Sequence, residues 1–530
     1  MIINPYIYGV ATSYDADAQL FFNAQTAAGV TLTTTQMDAV NQWVVDSKAA
    51  NIWTKFKAIY PVVGGTATSH KFNLKNPLDT DAAFRLVFSG GGTHSSNGYQ
   101  LNGTNSYANT FLSPFTNLTL SNFHLSFYSR TLTVGGVVEI GGNSGLASYT
   151  HLRIAANFVS GAGAATTLTF TTTTDARGLW LGTKRAANDR AVFRNNLKQN
   201  SSTVSDSNTL DTLPLFLGAQ NNAGTPAFYS AKECAFASIG DGLTDLESQL
   251  LYQITEKYQV ALSRNINTTQ SFYYNSAYNN ETNAFLFSTQ ITDNTIQTAT
   301  NTLVTDLKTA NIFTKMKAIY PMVGGTATTH KFNLVNAQDS TAAFALSFVG
   351  GWTHSANGAL PNGTNAYANT FFNTSTQSTL NNTHASYYSR INSENNGIEL
   401  GNSNGSGGQL LLALRYTAIG CISDQYNSTT GRIIIANANS QGLYITSRTT
   451  SAIHKLFKNS AQIGATNTGA SGSLQNLNFY IGAQNSSGTA IAFSNRQCAF
   501  ASIGDGLTDA EALAFYNAVQ TFNTTLARQV

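Results

Sequence analysis

Charge is what this sequence has least of. Asp, Glu, Lys and Arg supply 10% of its 530 residues, where about 25% is usual for a soluble domain. The net charge is +3 and no run of Lys or Arg exceeds two residues. The basic stripe of a nucleic-acid binder is therefore missing, and nucleic acid is not expected as a partner. No apolar run approaches the roughly 20 residues that span a bilayer, so no membrane insertion is expected. The start, Met1 to Tyr6, has no basic region leading into an apolar stretch and does not read as a secretory leader. The three cysteines, Cys234, Cys421 and Cys498, are too few and too scattered for a disulfide framework or a zinc knuckle. They read as buried free thiols.

Apolar residues are present in ordinary amount, at 42%, so sizeable cores can form. The polar surface must be built from Thr, Asn, Ser, Gln and Gly. That composition favours strands and turns over long exposed helices.

The dominant feature is an internal repeat. The stretch Asn51 to Asn73, NIWTKFKAIYPVVGGTATSHKFN, returns at Asn311 to Asn333 as NIFTKMKAIYPMVGGTATTHKFN. The string CAFASIGDGLTD occurs at Cys234 to Asp245 and again at Cys498 to Asp509. So long a period means duplicated domains rather than a solenoid. Module 1 is expected over 15–265, with a helical part at 15–61, a β-sandwich at 62–240 and a closing helix at 243–263. Module 2 is expected over 266–530, with the same parts at 280–321, 322–504 and 507–527. Residues 1–14 stand apart as an N-terminal arm, and the polar stretch Asn265 to Gln270 reads as a linker.

Within each module the opening reads as helical. Thr35 is placed to cap a helix with Met37, Val40 and Val44 on one face, matched by Ile296, Leu303 and Leu307. Ile52, Phe56, Ile59 and Tyr60 form a second helical stripe ended by Pro61, matched by Ile312, Met316, Ile319, Tyr320 and Pro321. Short strands follow between Asn, Gly and Ser turns, beginning at Phe84–Phe88, with the spacing of an antiparallel sandwich or jelly roll. Asn97-Gly98, Asn102-Gly103, Asn357-Gly358 and Asn362-Gly363 are turn signals. Thr244 with Glu247, and Thr508 with Glu511, spell capping boxes for the closing helices.

Three stretches carry a family resemblance. They are the strand-and-turn Val192-Phe193-Arg194-Asn195-Asn196 (Leu456 to Ser460 in the second copy), the order Phe216-Leu217-Gly218 then Cys234–Ile239, and the closing Leu243-Thr244-Asp245-x-Glu247. Together they resemble laminin-G-like, concanavalin A-like sandwiches over about two thirds of each module. The leading part with the duplicated KAIYP segment is similar to virion proteins of tailed bacteriophages that carry such sandwiches. The resemblance implies a mainly β fold of tandem jelly-roll sandwiches and a recognition or decoration role, often towards glycans. It also implies other virion proteins as partners and the virion surface as location. A homo-oligomer is compatible with it.

The chemical candidates are few. A retaining glycosidase needs two carboxylates about 5–5.5 Å apart. Glu139 and Glu399 are single acids on their strands, while Asp241, Asp245 and Glu247, repeated as Asp505, Asp509 and Glu511, sit where a helix starts. A non-catalytic role is expected, and hydrolysis ranks last. His70 with His330, His94 with His354 and His124 with His384 are repeat-matched, but none has zinc-site spacing. No cofactor is expected. Calcium suits sandwiches of this kind, although no acid-rich loop is present for it. The loop Thr93-His94-Ser95-x-Asn97-Gly98 recurs at Thr353 to Gly358 and nominates His94, Asn97, His354 and Asn357 as ligand contacts, with a plain hairpin turn as the competing reading. Trp352, which is Gly92 in the first copy, is a candidate for stacking on a sugar. Ile2, Ile3, Pro5, Tyr6 and Tyr8 are candidates for docking by strand addition. The expected function is a virion surface protein, and the alternative is a glycan-binding adhesin or receptor-binding protein.

Overall fold

A computed structural model describes residues 14–135, 137–145, 149–154, 157–162, 168–171, 174–205, 209–268, 271–405, 408–427 and 431–530. The N-terminal docking candidates Ile2, Ile3, Pro5, Tyr6 and Tyr8 lie outside the described residues. The chain forms two compact units, 1–276 and 277–530. The division falls beyond the polar stretch at 265–270 because Phe272 and Tyr274 are buried in unit 1. There the Tyr274 carbonyl accepts from Lys257 Nζ at 3.0 Å.

Each unit is a mainly β, antiparallel two-sheet sandwich with helices against one sheet. In unit 1 the helix-backed sheet runs, edge to edge, Leu197–Ser202, Asp189–Arg194, Gly178–Ala186, Phe123–Ser129, Glu233–Gly240, Gly98–Gln100, Thr93–Ser95. The other sheet runs Leu168–Thr171, Asn157–Ala162, Tyr149–Arg153, Ile140–Asn143, Phe216–Leu217, Tyr107–Asn109, Val87–Ser89. Unit 2 repeats both orders, from Trp352–Ser355 across to Ala461–Gln462 and from Ser347–Val349 across to Ile433–Ile435. Alternation along the strands fills the space between sheets. Leu125, Phe127, Ile140, Leu152, Trp180 and Leu217 form one core, and Tyr387, Leu400, Leu412, Tyr444, Phe479 and Ile481 form the other.

The outward face of the first sheet is not solvated. Helices Thr34–Ala49 and Asp245–Ala261 cover it, with Trp43 5.3 Å and Tyr258 6.5 Å from Phe236, centroid to centroid. In unit 2, Phe515 and Phe522 of helix Asp509–Thr525 lie 5.9 and 6.3 Å from Phe500. The expected capping boxes form at Thr244 with Glu247 and at Thr508 with Glu511.

The second helical stripe is a strand. Trp53–Lys55 makes one 3₁₀ turn, and Phe56–Tyr60 then pairs antiparallel with Glu233–Gly240, as Met316–Tyr320 does with Cys498–Gly504. Ala58 and Tyr60 face the core between the sheets, while Phe56 packs under Trp43 at 5.5 Å. A strand covered on both faces, apolar here at every position but Lys57, imitates a helical stripe over five residues. Thr33, not Thr35, caps the helix Thr34–Ala49, with Gln36 closing the box. The expected strand Phe84–Phe88 shrinks to Val87–Ser89, because Phe84 is left-handed at φ 61° and ends a 3₁₀ turn. A further helix, Ala16–Ala27, and its counterpart Asn280–Thr289 open the units.

A buried arginine ties each unit's closing helix back to the sandwich. Arg264 donates to the carbonyls of Pro61, Val62 and Ala235 at 2.9, 2.7 and 2.7 Å and to Gln259 Oε1 at 2.5 Å. Arg528 repeats this with Pro321, Met322, Ala499 and Asn523. Val62 and Met322 both sit at φ 47°, a strained conformation for a bulky residue. The guanidinium on their carbonyls helps to hold it.

Candidate functional site

The repeated His-x-x-Asn-Gly loop is a β-hairpin. Thr93–Ser95 pairs with Gly98–Gln100 around a two-residue turn, and His94 points into an aromatic cluster. Its ring stacks on Tyr99 at 4.5 Å and 18° and meets Phe88 edge-on at 4.5 Å. His94 Nδ1 lies 2.9 Å from His70 Nδ1. His70 Nε2 accepts from the Gly65 amide at 3.1 Å, so the proton of neutral His70 sits on Nδ1 and points at His94. Burial holds His70 down to about 2, with the neighbouring His94 and Arg264 adding to the effect. His330 and His354 form the same 2.9 Å pair. Asn97 and Asn357 stay exposed at the turns. The hairpin thus separates its His from its Asn, and the nominated residues do not converge.

Trp352 packs against the core rather than standing out as a platform. Its indole N–H donates to the Tyr367 carbonyl at 3.1 Å and its ring lies against Gly482 and Phe348. A Cβ on Gly92, the matching position in unit 1, would meet the Tyr99 ring at 2.4 Å. Unit 1 fills that space with Gly92 and Tyr99, and unit 2 fills it with Trp352 and Ala359.

The repeated acids are held by cations. Glu139 is wholly buried and accepts from Lys232 Nζ at 2.8 Å, Ser230 Oγ at 3.2 Å and the Ile154 amide. Burial raises its carboxyl above the usual range, against the pull of Lys232. Glu399 accepts from Arg496 at 2.5 Å, Ser494 Oγ at 2.6 Å and the Leu414 amide at 2.8 Å. Glu247 pairs with Lys55 at 2.6 Å, and Glu511 with Lys315 at 2.5 Å. Asp245 meets Arg185 and Lys198, and Asp509 meets Lys455. Asp241 and Asp505 lie 3.4 and 3.6 Å from Lys57 and Lys317.

A Ser–His chain is present but sealed. His124 donates from Nδ1 to the Asp241 carbonyl at 2.6 Å, its Nε2 lies 3.0 Å from Ser238 Oγ, and Ser238 is 2.6 Å from Ser126. His384, Ser502 and Ser386 repeat it. All of these side chains are buried under the helices. Among the described residues, no group of three or more His, Cys, Asp or Glu is arranged to hold a metal ion. Cys234, Cys421 and Cys498 are buried free thiols. A cavity of about 300 Å³ opens between helices Thr34–Ala49 and Asp245–Ala261, where Lys257 neutralises the buried Asp46 at 2.7 Å.

The sheet without helices presents a different surface. In unit 1, Val87, Asn109 and Phe216 lie in one cross-strand row on its outward face. Tyr107, two residues from Asn109 on the same face, stacks on Phe216 at 4.6 Å and 28°, with Tyr229 at 6.5 Å. In unit 2, Asn369 pairs across to Tyr480, and Tyr367 stacks on Tyr480 at 4.6 Å and 24°. Phe493 takes the position of Tyr229. Val87 and Val349, at the rim, are 37% and 40% exposed.

The polar atoms here differ from those elsewhere. Buried tyrosines spend their hydroxyls inside the fold: Tyr60 on the Phe84 carbonyl, Tyr128 on Glu256, Tyr258 on the Pro61 carbonyl. Among the described residues the hydroxyls of Tyr107, Tyr229, Tyr367 and Tyr480 have no hydrogen-bond partner, nor have the amide nitrogens of Asn109 and Asn369. Each Asn turns its Oδ1 to the amide two residues on, at 2.9 Å, and its Nδ2 outward. The result is an aromatic ridge edged by unspent donors and acceptors, built alike in both units. Such a surface can stack on an apolar ring face and hydrogen-bond its hydroxyls.

Sequence reasoning missed this ridge although its signal was present. Asn102 to Phe111, NGTNSYANTF, recurs as NGTNAYANTF at Asn362 to Phe371. The Asn-Gly turns were singled out, but the Tyr-Ala-Asn that follows, with Ala inward and Tyr and Asn outward, was not.

No family model matches the chain, and no curated protein matches it. Several solved structures resemble it in part. Domain 4 of AbnA, an extracellular GH43 arabinanase from Geobacillus stearothermophilus in complex with arabinotriose, is 15% identical. That match covers 37% of this chain and 98% of that one, with a TM-score of 0.28. The CBM40 of the Ruminococcus gnavus IT-sialidase is 14% identical over 25% of this chain and 83% of that one, with a TM-score of 0.21. A Trypanosoma rangeli sialidase mutant displaying trans-sialidase activity is 11% identical over 43% of this chain and 39% of that one, with a TM-score of 0.30.

Proposed function

We propose that this chain is a non-catalytic glycan-binding protein and that each unit holds a sugar on the ridge of its open sheet. The observation that carries the reading is the repeated Tyr–Asn ridge. Both units keep Tyr107/Tyr367 and Asn109/Asn369, stacked and registered alike, with polar atoms the fold does not use. Core packing needs the inward Ala108 and Ala368 between them, not a free hydroxyl and a free amide. Stacking supplies affinity and the hydrogen bonds supply selection among sugars. A non-catalytic role is supported by the cations that hold every acid repeated at the helix starts and on the strands of Glu139 and Glu399.

The setting we propose is the exposed surface of a tailed-phage particle. Its support is the resemblance of the KAIYP segment to virion proteins and a composition with only 10% charged residues. Purified particles analysed by cryo-electron microscopy should contain the chain with both open sheets towards solvent, and particles lacking it would remove this setting. Glycan binding itself is tested on an array of bacterial surface polysaccharides with the full chain. Saturable binding that Tyr107→Ala and Tyr367→Ala together abolish is the expected result. Binding that survives the double change would move the site elsewhere, and sugar release from a bound polysaccharide would overturn the non-catalytic reading.

A further inference from the structure

Resting on that reading, we infer that the two ridges select different sugar residues, so that the chain recognises a heteropolysaccharide through two non-equivalent sites. The ridges share a backbone frame, but their free hydroxyls stand at different corners. In unit 1 the hydroxyl-bearing rings are Tyr107 and Tyr229, 6.5 Å apart and inclined at 50°, while the ring stacked on Tyr107 is Phe216 and carries none. In unit 2 they are Tyr367 and Tyr480, 4.6 Å apart and nearly parallel at 24°, and the position of Tyr229 is Phe493. One hydroxyl has in effect moved from one neighbour of the shared tyrosine to the other.

The spacing of two hydrogen-bonding groups decides which pair of sugar hydroxyls they can engage together. The two pairs of rings differ in separation and in inclination, so the hydroxyls they carry suit different pairs of sugar hydroxyls. The adjoining strand sharpens the contrast. His151 lies beside the unit 1 ridge, and Leu411, backed by Ile422, lies at the same position in unit 2. His151 and Leu411 are themselves only 8% and 5% exposed, so the layer beneath the unit 1 ridge is polar and the layer beneath the unit 2 ridge apolar.

The experiment uses the full chain with one ridge disabled at a time. Tyr107→Ala with Tyr229→Ala leaves unit 2 to report, and Tyr367→Ala with Tyr480→Ala leaves unit 1. Both variants are checked for unchanged circular dichroism and melting before an array of defined neutral oligosaccharides is probed. Two distinct profiles are expected. A hydroxyl exchange in unit 1, Phe216→Tyr with Tyr229→Phe, should then shift that ridge's preference towards the unit 2 profile by about five- to tenfold, the worth of one hydrogen bond. If wild type binds and both single-ridge variants give one profile, the two-specificity inference falls while glycan binding stands. If wild type binds no glycan, the proposed function and this inference fall together.

Discussion

The two sheets of each sandwich have diverged in different ways between the units. On the helix-backed sheet a buried Ser–His chain and a buried arginine agree atom by atom, although Tyr128 on Glu256 becomes Tyr388 on Gln520. His124, Ser238 and Ser126 make the contacts of His384, Ser502 and Ser386 at matching distances. Arg264 and Arg528 grip the same backbone positions. On the open sheet the copies agree in register and in aromatic character, but Phe216 is replaced by Tyr480, Tyr229 by Phe493 and His151 by Leu411. The physical reason is the cost of an error. A buried polar group that loses its partner costs about 1–3 kcal/mol, so buried networks tolerate little change. On the open sheet Phe216, Tyr480, His151 and Leu411 are only 5–8% exposed, but their exchanges strand no buried hydrogen-bonded network of this kind. Asn109 and Asn369 hold the left-handed turns at Phe111 and Phe371, but the hydroxyls of Tyr107 and Tyr367 are kept there without a partner in the fold, which is why binding is assigned to that face.

The comparison breaks most sharply at the buried ion pairs, where the units use different cations. Glu399→Ala leaves the wholly buried Arg496 guanidinium without its carboxylate. It should cost about 3–5 kcal/mol in urea denaturation. Glu139→Ala should cost less, because a stranded lysine can shed its proton and a guanidinium cannot. Equal losses would mean that the cation's identity is irrelevant.

The aromatic exchange is next. Trp352→Gly empties the space over Gly482 and should cost about 3 kcal/mol. In unit 1 Tyr99 fills the space at Gly92 and Leu101 lies over Gly218, so adding Ala359→Tyr restores only part of the unit 1 packing and should return part of that loss, a coupling that a double-mutant cycle reads directly. Additive losses would show that Gly92/Tyr99 and Trp352/Ala359 are unrelated changes.

A smaller effect concerns acid. Burial holds His124 and His384 down to about 4, from an ordinary 6.5. Both are neutral when folded, and the unfolded chain takes up their protons first. Their cost is absent above about pH 6.5 and grows as pH falls towards 4, reaching about 3 kcal/mol for each. His384→Asn should make stability less steep in pH over that window by one proton. An unchanged slope would mean that His384 is not held neutral.

These contrasts also mark what could be read from sequence. The duplication, the sandwich, the capping boxes at Thr244 and Thr508 and the buried cysteines follow from local patterns, which a single chain displays directly. Phe56–Tyr60 was misread because a strand buried on both faces has no alternation, and only its partner Glu233–Gly240 reveals it. Trp352 looked exposed in sequence because its complement, the absence of a large residue at Ala359, lies on the neighbouring strand. The hairpin histidines drew attention to the wrong edge of the fold. The ridge needs residues from two strands and a later segment that are far apart in sequence, Tyr107, Phe216 and Tyr229, with counterparts Tyr367, Tyr480 and Phe493. Of these the sequence displayed only the repeated Tyr-Ala-Asn.

The most direct test is calorimetric titration of a bacterial surface polysaccharide, chosen from the array, into the full chain and into a variant with Tyr107, Tyr229, Tyr367 and Tyr480 all changed to alanine. Wild type should bind, and the variant, folded to the same circular dichroism spectrum, should lose at least tenfold in affinity, about 1.4 kcal/mol. Equal affinity in a folded variant would contradict the assignment of binding to the open sheet.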